Sequence, residues 1–566
     1  MTHAESRSAD LCLKTVQGGA ADAPLRDDLR ELSAPLLEAE RNHLLRRVDW
    51  RFLLPDPHPA RAVCFTPGQL ARAIEQMAAT VVEPAGASDC DLAVAVDPTD
   101  GVLDAALAAL RPGGLYYTEW YRPSLGGLGG IRRRLENAGF ADVTCYWAWP
   151  PPSKGPAAFW LPIESAAAVR YFLRGRPTPH APAARLQTWL QRLLWRAGWR
   201  AGHLLPLCVV ARKPSRPWSE SSRAAAATEA DLQALVRERW SEWGLGEAPR
   251  KLSWLLLTGG LRSINKPVAL VFGDAAPRPS LAVKMSRVPE AAATLARESA
   301  VLTTLHTSHT QPLPGVPRII FHRQTPDGAT LAETVIGGTP VSVALRPESY
   351  GPIATRATDW LAQLAGRPVP ASRATWWNRL VSPVLDRFQQ TFGGVANAAF
   401  IEETRGRLAT LDALPLVCEQ RDFSPWNVLL GADGSLAVLD WESAELRGLP
   451  GMDLLYFLTY LAFYRDGAMA SGEFRQSYAA GLDPLTPTGA VRSECLARYG
   501  RLVGVAPSAL AALRPFVWLI HADSEYQRFV ADHGGTPPTQ TLKSSLFVAL
   551  WEMECAALRQ ADRVHG

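Results

Sequence analysis

The stretch that most restricts this chain is CEQRDFSPWNVLLGADGSLAVLDWESAELRGLPGMD, residues 418–453. Two short runs of apolar alternation, 428–430 and 436–439, flank a turn built on Gly431, Asp433 and Gly434. That pattern predicts a β-hairpin. A hairpin turns the chain back on itself, so Asp440 at its far end returns toward Asn427 at its near end. Two oxygen-bearing side chains then converge, as a hard divalent cation requires. Asp422 lies one loop away, where a carboxylate can accept the proton of an attacking hydroxyl.

This stretch resembles the aminoglycoside-phosphotransferase/choline-kinase family, whose pattern is H-G-D-x-x-x-x-N followed by a hydrophobic strand ending in D-W or D-F. Here Gln420-Arg421-Asp422 replaces His-Gly-Asp, while Asn427 and Asp440-Trp441-Glu442 match. The resemblance implies a catalytic base at Asp422 and magnesium ligands at Asn427 and Asp440. It implies a structural carboxylate at Asp453 and a buried helix over 452–464. The family histidine braces the catalytic loop by hydrogen bonding, and the amide of Gln420 can do the same. D-x-x-x-x-N alone is common, so the weight rests on the ordered set of strand, turn, strand and D-W-E.

The residues before this motif supply what a nucleotide needs. Strands are expected at 253–257, 268–272 and 281–285, a helix at 289–305 and two more strands at 318–322 and 330–336. Thr258-Gly259-Gly260-Leu261-Arg262-Ser263 joins the first two strands, as a loop covering phosphates would. A plain hairpin turn also explains its glycine pair, and no G-K-[ST] follows to make a Walker A. Lys284 ends the third strand, where an ammonium can meet the α- and β-phosphates. Of 59 lysines and arginines only seven are lysine, so a lysine in this strand stands out. Glu298, on the following helix, is the partner expected to orient it. Residues 331–338 resemble the hinge between the two lobes of a kinase. Past residue 341 the chain reads as mostly helical, with Trp360, Trp376, Trp377, Asp386, Glu402, Glu403, Asp523 and Glu525 in no legible pattern.

The remaining half follows a different rhythm. At 566 residues the chain is too long for one core. Between 50 and 213, strand-like and helix-like runs alternate, which argues for a parallel sheet covered by helices. LAALRPGGLYYTEW (107–120), RRRLENAGFADVTCYW (132–147) and PLCVVARKP (206–214) resemble a class I SAM-dependent methyltransferase. The cofactor signature is missing: the first strand runs into Thr66-Pro67-Gly68, without the G-x-G turn that lets backbone approach a dinucleotide-like ligand. Glu83, Asp97 and the Gly126–130 run are read as ordinary strand ends and a turn. SAM is therefore not expected.

The fold class is multidomain α/β and α+β. A leader and helix (1–45) precede a Rossmann-like, methyltransferase-like domain (46–213). A Pro/Ser/Ala linker (214–230) leads to a bilobal protein-kinase-like domain, with a β-rich lobe over 231–340 and a helical lobe over 341–566. The expected activity is ATP- and Mg2+-dependent phosphorylation of a small-molecule hydroxyl on a sugar, aminoglycoside or choline-like compound. The alternatives are a pseudokinase and methyltransferase-like scaffold, or a bifunctional methyltransferase–kinase. A net charge of +4 implies no nucleic-acid partner. No transmembrane segment or signal peptide is read, and a cytoplasmic protein is expected. The eight cysteines form no CxxC pair. An amphipathic run at 183–202 carries apolar residues at i, i+3, i+4 with arginines elsewhere. Such a helix either caps a sheet or lies on a membrane surface.

Overall fold

A computed structural model describes residues 38–122, 127–174, 207–215, 231–260, 262–274, 276–309, 313–366, 368–533 and 535–565. The leader up to 37, the amphipathic run 183–202, most of the expected linker, Gly126 and Leu261 lie outside the described residues. The described chain forms two units. One holds the residues up to 296 together with 319–335; the other holds 297–318 and 336 onward.

The first unit is built on a single twelve-stranded sheet. Its strands are β1 (Arg61–Cys64), β2 (Thr80–Val82), β3 (Cys90–Val96), β4 (Leu110–Trp120), β5 (Ala141–Trp149), β6 (Phe159–Pro162), β7 (Leu207–Arg212), β8 (Leu252–Leu257), β9 (Val268–Gly273), β10 (Leu281–Met285), β11 (Ile319–Thr325) and β12 (Gly328–Thr334). Their order across the sheet is β11-β12-β10-β9-β8-β6-β5-β7-β4-β3-β1-β2. β1 pairs in parallel with β2 and β3, and β3 with β4. The nearly unbroken apolar run of β3, CDLAVAV, suits a strand covered on both faces. The reversed strand β7 lies between β4 and β5. Strands β8 to β12 are all antiparallel to their neighbours.

The two strand sets on either side of the expected linker meet in this sheet. β6 pairs with β8 through Phe159↔Leu257 and Trp160↔Leu256. No strand is expected at 159–162 from the sequence, because three apolar residues closed by a proline carry breaker signals rather than a period. One continuous core follows the sheet across this junction. It holds Trp50 and Phe52 near the N-terminus, Leu92, Val94 and Tyr117 in the parallel part, and Trp254, Leu256, Val271 and Val283 in the antiparallel part. Trp50 stacks flat on Tyr117, with centroids 3.7 Å apart and planes within 3°.

The second unit is largely helical. In the helix Met452–Arg465 every residue from Met452 to Phe463 is buried, as expected for a helix apolar on all sides. The expected hairpin forms between Val428–Leu430 and Leu436–Val438, with Val428 opposite Val438 and Leu430 opposite Leu436. Gly315 crosses it closely: its carbonyl accepts the Val438 N–H at 2.8 Å, and a β-carbon there would lie 2.0 Å from the Leu436 carbonyl oxygen. With φ of +75°, only glycine fits this crossing. Among the described residues, no single helix is long and apolar enough to cross a membrane.

Candidate active site

The loop before the hairpin is held from behind by one carboxylate. Asp453, in the first turn of the buried helix, accepts the backbone N–H of Gln420 at 2.6 Å and of Arg421 at 2.9 Å. Burial pushes its carboxyl up to about 6, against those two hydrogen bonds, which pull it down. Arg421 adopts a left-handed conformation, φ +66°. A non-glycine residue holds that conformation only where its surroundings over-determine it, and the bond to Asp453 is one such constraint.

Gln420 is fully buried, and its amide works in both directions. The side-chain oxygen accepts the Asp422 N–H at 2.8 Å, while the nitrogen donates to the carbonyls of Leu439, at 3.0 Å, and Asp440. A glutamine thus braces the loop where the family pattern has histidine. Asn427 donates to the Asp422 carboxylate Oδ2 at 2.9 Å and to the Asp422 carbonyl at 3.0 Å. The Leu439 N–H meets the Asn427 carbonyl at 2.9 Å, which ties the two ends of the hairpin together. Asp440 is left-handed too, φ +62°.

Asp422, Asn427 and Asp440 therefore share one hydrogen-bonded cluster. Among the described residues, no side chain bonds to the Asp440 carboxylate or to Asn427 Oδ1. Both are hard oxygen donors, and Mg2+ takes one or two protein oxygens together with substrate phosphates. The donor set fits that cation. No group of three or more His, Cys, Asp or Glu capable of holding a metal occurs among the described residues.

Asp422 and Asp440 are each followed by a buried aromatic ring. Phe423 and Trp441 are fully buried; Trp360 stacks on Phe423 at 5.5 Å and lies 6.3 Å from Trp441. The Trp441 backbone N–H donates to Glu298 Oε1 at 2.9 Å, and Glu298 is itself fully buried. Glu298 thus fixes the backbone next to Asp440.

In the first unit, Lys284 Nζ lies 3.1 Å from Glu333 Oε1. β10 and β12 place Lys284 opposite Leu331 and Glu333 opposite Ala282, so both side chains share one face of the sheet. The start of the glycine-pair loop is anchored. Thr258 is buried and donates its hydroxyl to the Ala157 carbonyl at 2.7 Å. Gly259 is open to its surroundings, whereas a β-carbon on Gly260 (φ +98°) would lie 2.5 Å from the Asn265 side chain. Ser263 is buried.

Three of the five candidate carboxylates of the helical unit are matched by arginine. Glu403 pairs with Arg407 and Arg559, Asp523 with Arg387, and Asp386 with Arg405. Glu525 accepts a hydrogen bond from Ser545. Glu402 is exposed. Trp360 and Trp376 belong to the core, and Trp377 is half-buried.

Residues 269–492 match the phosphotransferase enzyme family. The matched stretch has a kinase-like fold with mixed α/β content, and it contains Lys284, Glu298, Asp422, Asn427, Asp440 and Asp453. No curated protein matches the chain. Similar solved structures include aminoglycoside phosphotransferase APH(3'')-Id from Streptomyces rimosus ATCC10970, with 15% identity, a TM-score of 0.29 and coverage of 57% of this chain and 98% of that one. Aminoglycoside phosphotransferase APH(4)-Ia gives 11%, 0.35, 58% and 99%. The aminoglycoside phosphotransferase from Alicyclobacillus acidocaldarius subsp. acidocaldarius DSM 446 gives 15%, 0.32, 54% and 91%.

The candidate positions in the N-terminal half have local roles. Asp97 accepts the N–H groups of Tyr121 and Arg122. Glu83 is exposed, and Gly127, Gly129 and Gly130 fall in the first turn of the helix Gly127–Asn137. At the carboxyl end of β4, Glu119 is buried and gripped by Arg47 at 2.6 and 2.8 Å, with the hydroxyls of Tyr117 and Tyr121 completing the group. Sequence reasoning missed this network and also Glu333. A lone acid inside the apolar strand LAET was a usable signal for Glu333.

Proposed function

We propose that this protein is a small-molecule kinase that transfers the γ-phosphoryl group of ATP to a hydroxyl. The observation that carries the reading is the single bonded cluster of Asp422, Asn427 and Asp440, braced through Gln420. Phosphoryl transfer asks a protein mainly to position its reactants and to balance charge. Asp422 takes the acceptor proton as the hydroxyl oxygen attacks the γ-phosphorus and ADP leaves. Asn427 and Asp440 would hold Mg2+, which when bound neutralises charge on the phosphates. Lys284, set by Glu333, meets the phosphates as a point charge. Gly259, Gly260 and Ser263 belong to the loop that covers them.

The acceptor is a small hydroxyl compound such as a sugar, an aminoglycoside or a choline-like molecule; Glu403, Asp523 and Asp386 are engaged by arginine, whereas Glu402 is exposed and available to a cationic group.

For the N-terminal half we infer a methyltransferase-like module that no longer takes SAM. Open α/β sheets receive ligands at the carboxyl ends of their parallel strands. There the chain's own Arg47 binds Glu119, and Trp50 lies on Tyr117. Saturable SAM binding by calorimetry would overturn this part and restore the bifunctional reading.

The test of the kinase reading is ADP release with a panel of neutral, cationic and anionic alcohols, on wild type and Asp422→Ala. The expected result is acceptor-dependent turnover that falls by roughly a hundredfold or more in the variant. Equal turnover in both proteins would remove Asp422 from the chemistry. Absence of both turnover and nucleotide binding would favour a scaffold.

A further inference from the structure

The glycine-pair loop, described over 258–260 and 262–265, is held at both ends by the N-terminal half of the chain. At its start, the Thr258 N–H donates to the Ala158 carbonyl at 2.8 Å and the Thr258 hydroxyl to that of Ala157. At its end stands Arg287, two residues beyond β10. Its Nη1 donates to the carbonyls of Arg262 at 3.1 Å and Asn265 at 2.8 Å. Its Nε and Nη2 grip both oxygens of Asp49 at 2.8 Å each. Arg287 and Asp49 side chains are both wholly buried. Arg51, from the same short turn as Asp49, donates to the Arg287 carbonyl at 2.6 Å.

The chain of contact continues inward. Asn265 accepts the Arg262 N–H on its side-chain oxygen at 2.8 Å, and its side chain packs against Gly260. A guanidinium fork can hold a carboxylate with one edge and carbonyls with the other, which an ammonium cannot do. Its orientation is therefore set by Asp49, and the loop's orientation is set by Arg287.

We infer that Asp49 and Arg287 are positioning residues, through which the N-terminal half fixes the glycine-pair loop in the form that receives nucleotide phosphates. The inference rests on reading this loop as the phosphate cover. It gives the non-kinase half a part in the reaction: its turn 49–53 acts as a built-in clamp of the nucleotide loop. An ion pair that only stabilises the fold would weaken all ligands alike. A clamp on this loop affects phosphate-bearing ligands selectively.

The experiment uses the full chain with Arg287→Lys and Asp49→Asn. Lysine keeps a positive charge opposite Asp49 but releases the loop carbonyls. Hydrogen exchange of the amides between 259 and 265 is measured without nucleotide, and calorimetry compares ATP, ADP and adenosine. The expected result is faster loop exchange in both variants, roughly tenfold weaker ATP and ADP binding, and unchanged adenosine binding. Wild-type exchange in folded Arg287→Lys, or equal weakening of adenosine and ATP, overturns the inference. If Asp49→Asn does not fold, Arg287→Lys decides alone. Wild type that binds neither ATP nor ADP refutes the nucleotide reading instead, while the exchange comparison still judges the clamp.

Discussion

The side-chain amide of Gln420 donates a hydrogen bond to the backbone carbonyl of Asp440. The same amide receives the Asp422 N–H. One buried side chain therefore joins the loop carrying Asp422 to the strand end carrying Asp440. Its two faces are chemically distinct, one an acceptor and one a donor.

Gln420→Glu is isosteric but cannot donate, so it sets a carboxylate against the carbonyls of Leu439 and Asp440. We expect a loss of about 1–3 kcal/mol in urea unfolding, with kcat reduced more than KM. Gln420→His keeps one donor and one acceptor and should retain more activity than Gln420→Glu. The reverse ranking would show that the amide does not brace the loop.

Glu298 is buried and accepts the Trp441 N–H. Glu298→Ala leaves that buried N–H without its acceptor, at a cost of about 1–3 kcal/mol. Urea unfolding should register this, and magnesium-dependent ATP binding should weaken, because the adjacent Asp440 loses a fixed backbone. Unchanged stability would mean that the bond is dispensable.

The twelve-stranded sheet predicts that the kinase-like half does not stand alone. A chain beginning at residue 231 would lack β6, which leaves β8 as a bare edge, and would lack Trp50, Phe52 and their neighbours from the core over Trp254, Leu256 and Val271. Bare edges and large apolar patches promote aggregation. Expression of residues 231–566 should give insoluble or aggregated protein by size exclusion. A monodisperse, cooperatively melting fragment would contradict the continuous core.

Much of this arrangement was legible in the sequence, for identifiable reasons. The hairpin announced itself by alternation around a Gly-Ala-Asp-Gly turn, and a hairpin brings its two ends together whatever the rest of the fold does. The strand runs of β1 and β3 were readable because buried parallel strands are nearly pure apolar runs. What stayed hidden depends on register and long-range pairing. Glu333 meets Lys284 only because β10 and β12 are neighbours, which no local period encodes. Asp49 and Arg287, 238 residues apart, look like two surface charges until the fold buries them. β6 was too short and too close to proline to register as a strand, yet it joins the two halves.

Stability should depend on pH through Glu419. Burial pushes its carboxyl up from the ordinary 4.5 to about 7, while Arg421 and the Leu449 N–H pull it down. A carboxyl that binds its proton more tightly folded than unfolded lends stability that is complete below its unfolded value. That stability is lost as pH rises through the folded value. Unfolding free energy of wild type relative to Glu419→Gln should therefore fall between pH 4.5 and 7, by at most about 1.4 kcal/mol per pH unit. A difference that rises with pH over this window would place the carboxyl's shift in the opposite direction.

The central claim is a magnesium-dependent nucleotide site built on Asn427 and Asp440, and a thermal-shift titration with ATP and Mg2+ tests it most directly. A ligand that binds only the folded state raises its melting temperature by mass action. Wild type and Asp422→Ala should both shift upward with ATP and Mg2+ together, and Asp440→Ala should lose the magnesium-dependent part. A wild-type protein that does not shift, or an Asp440→Ala variant that shifts as wild type does, would contradict the account.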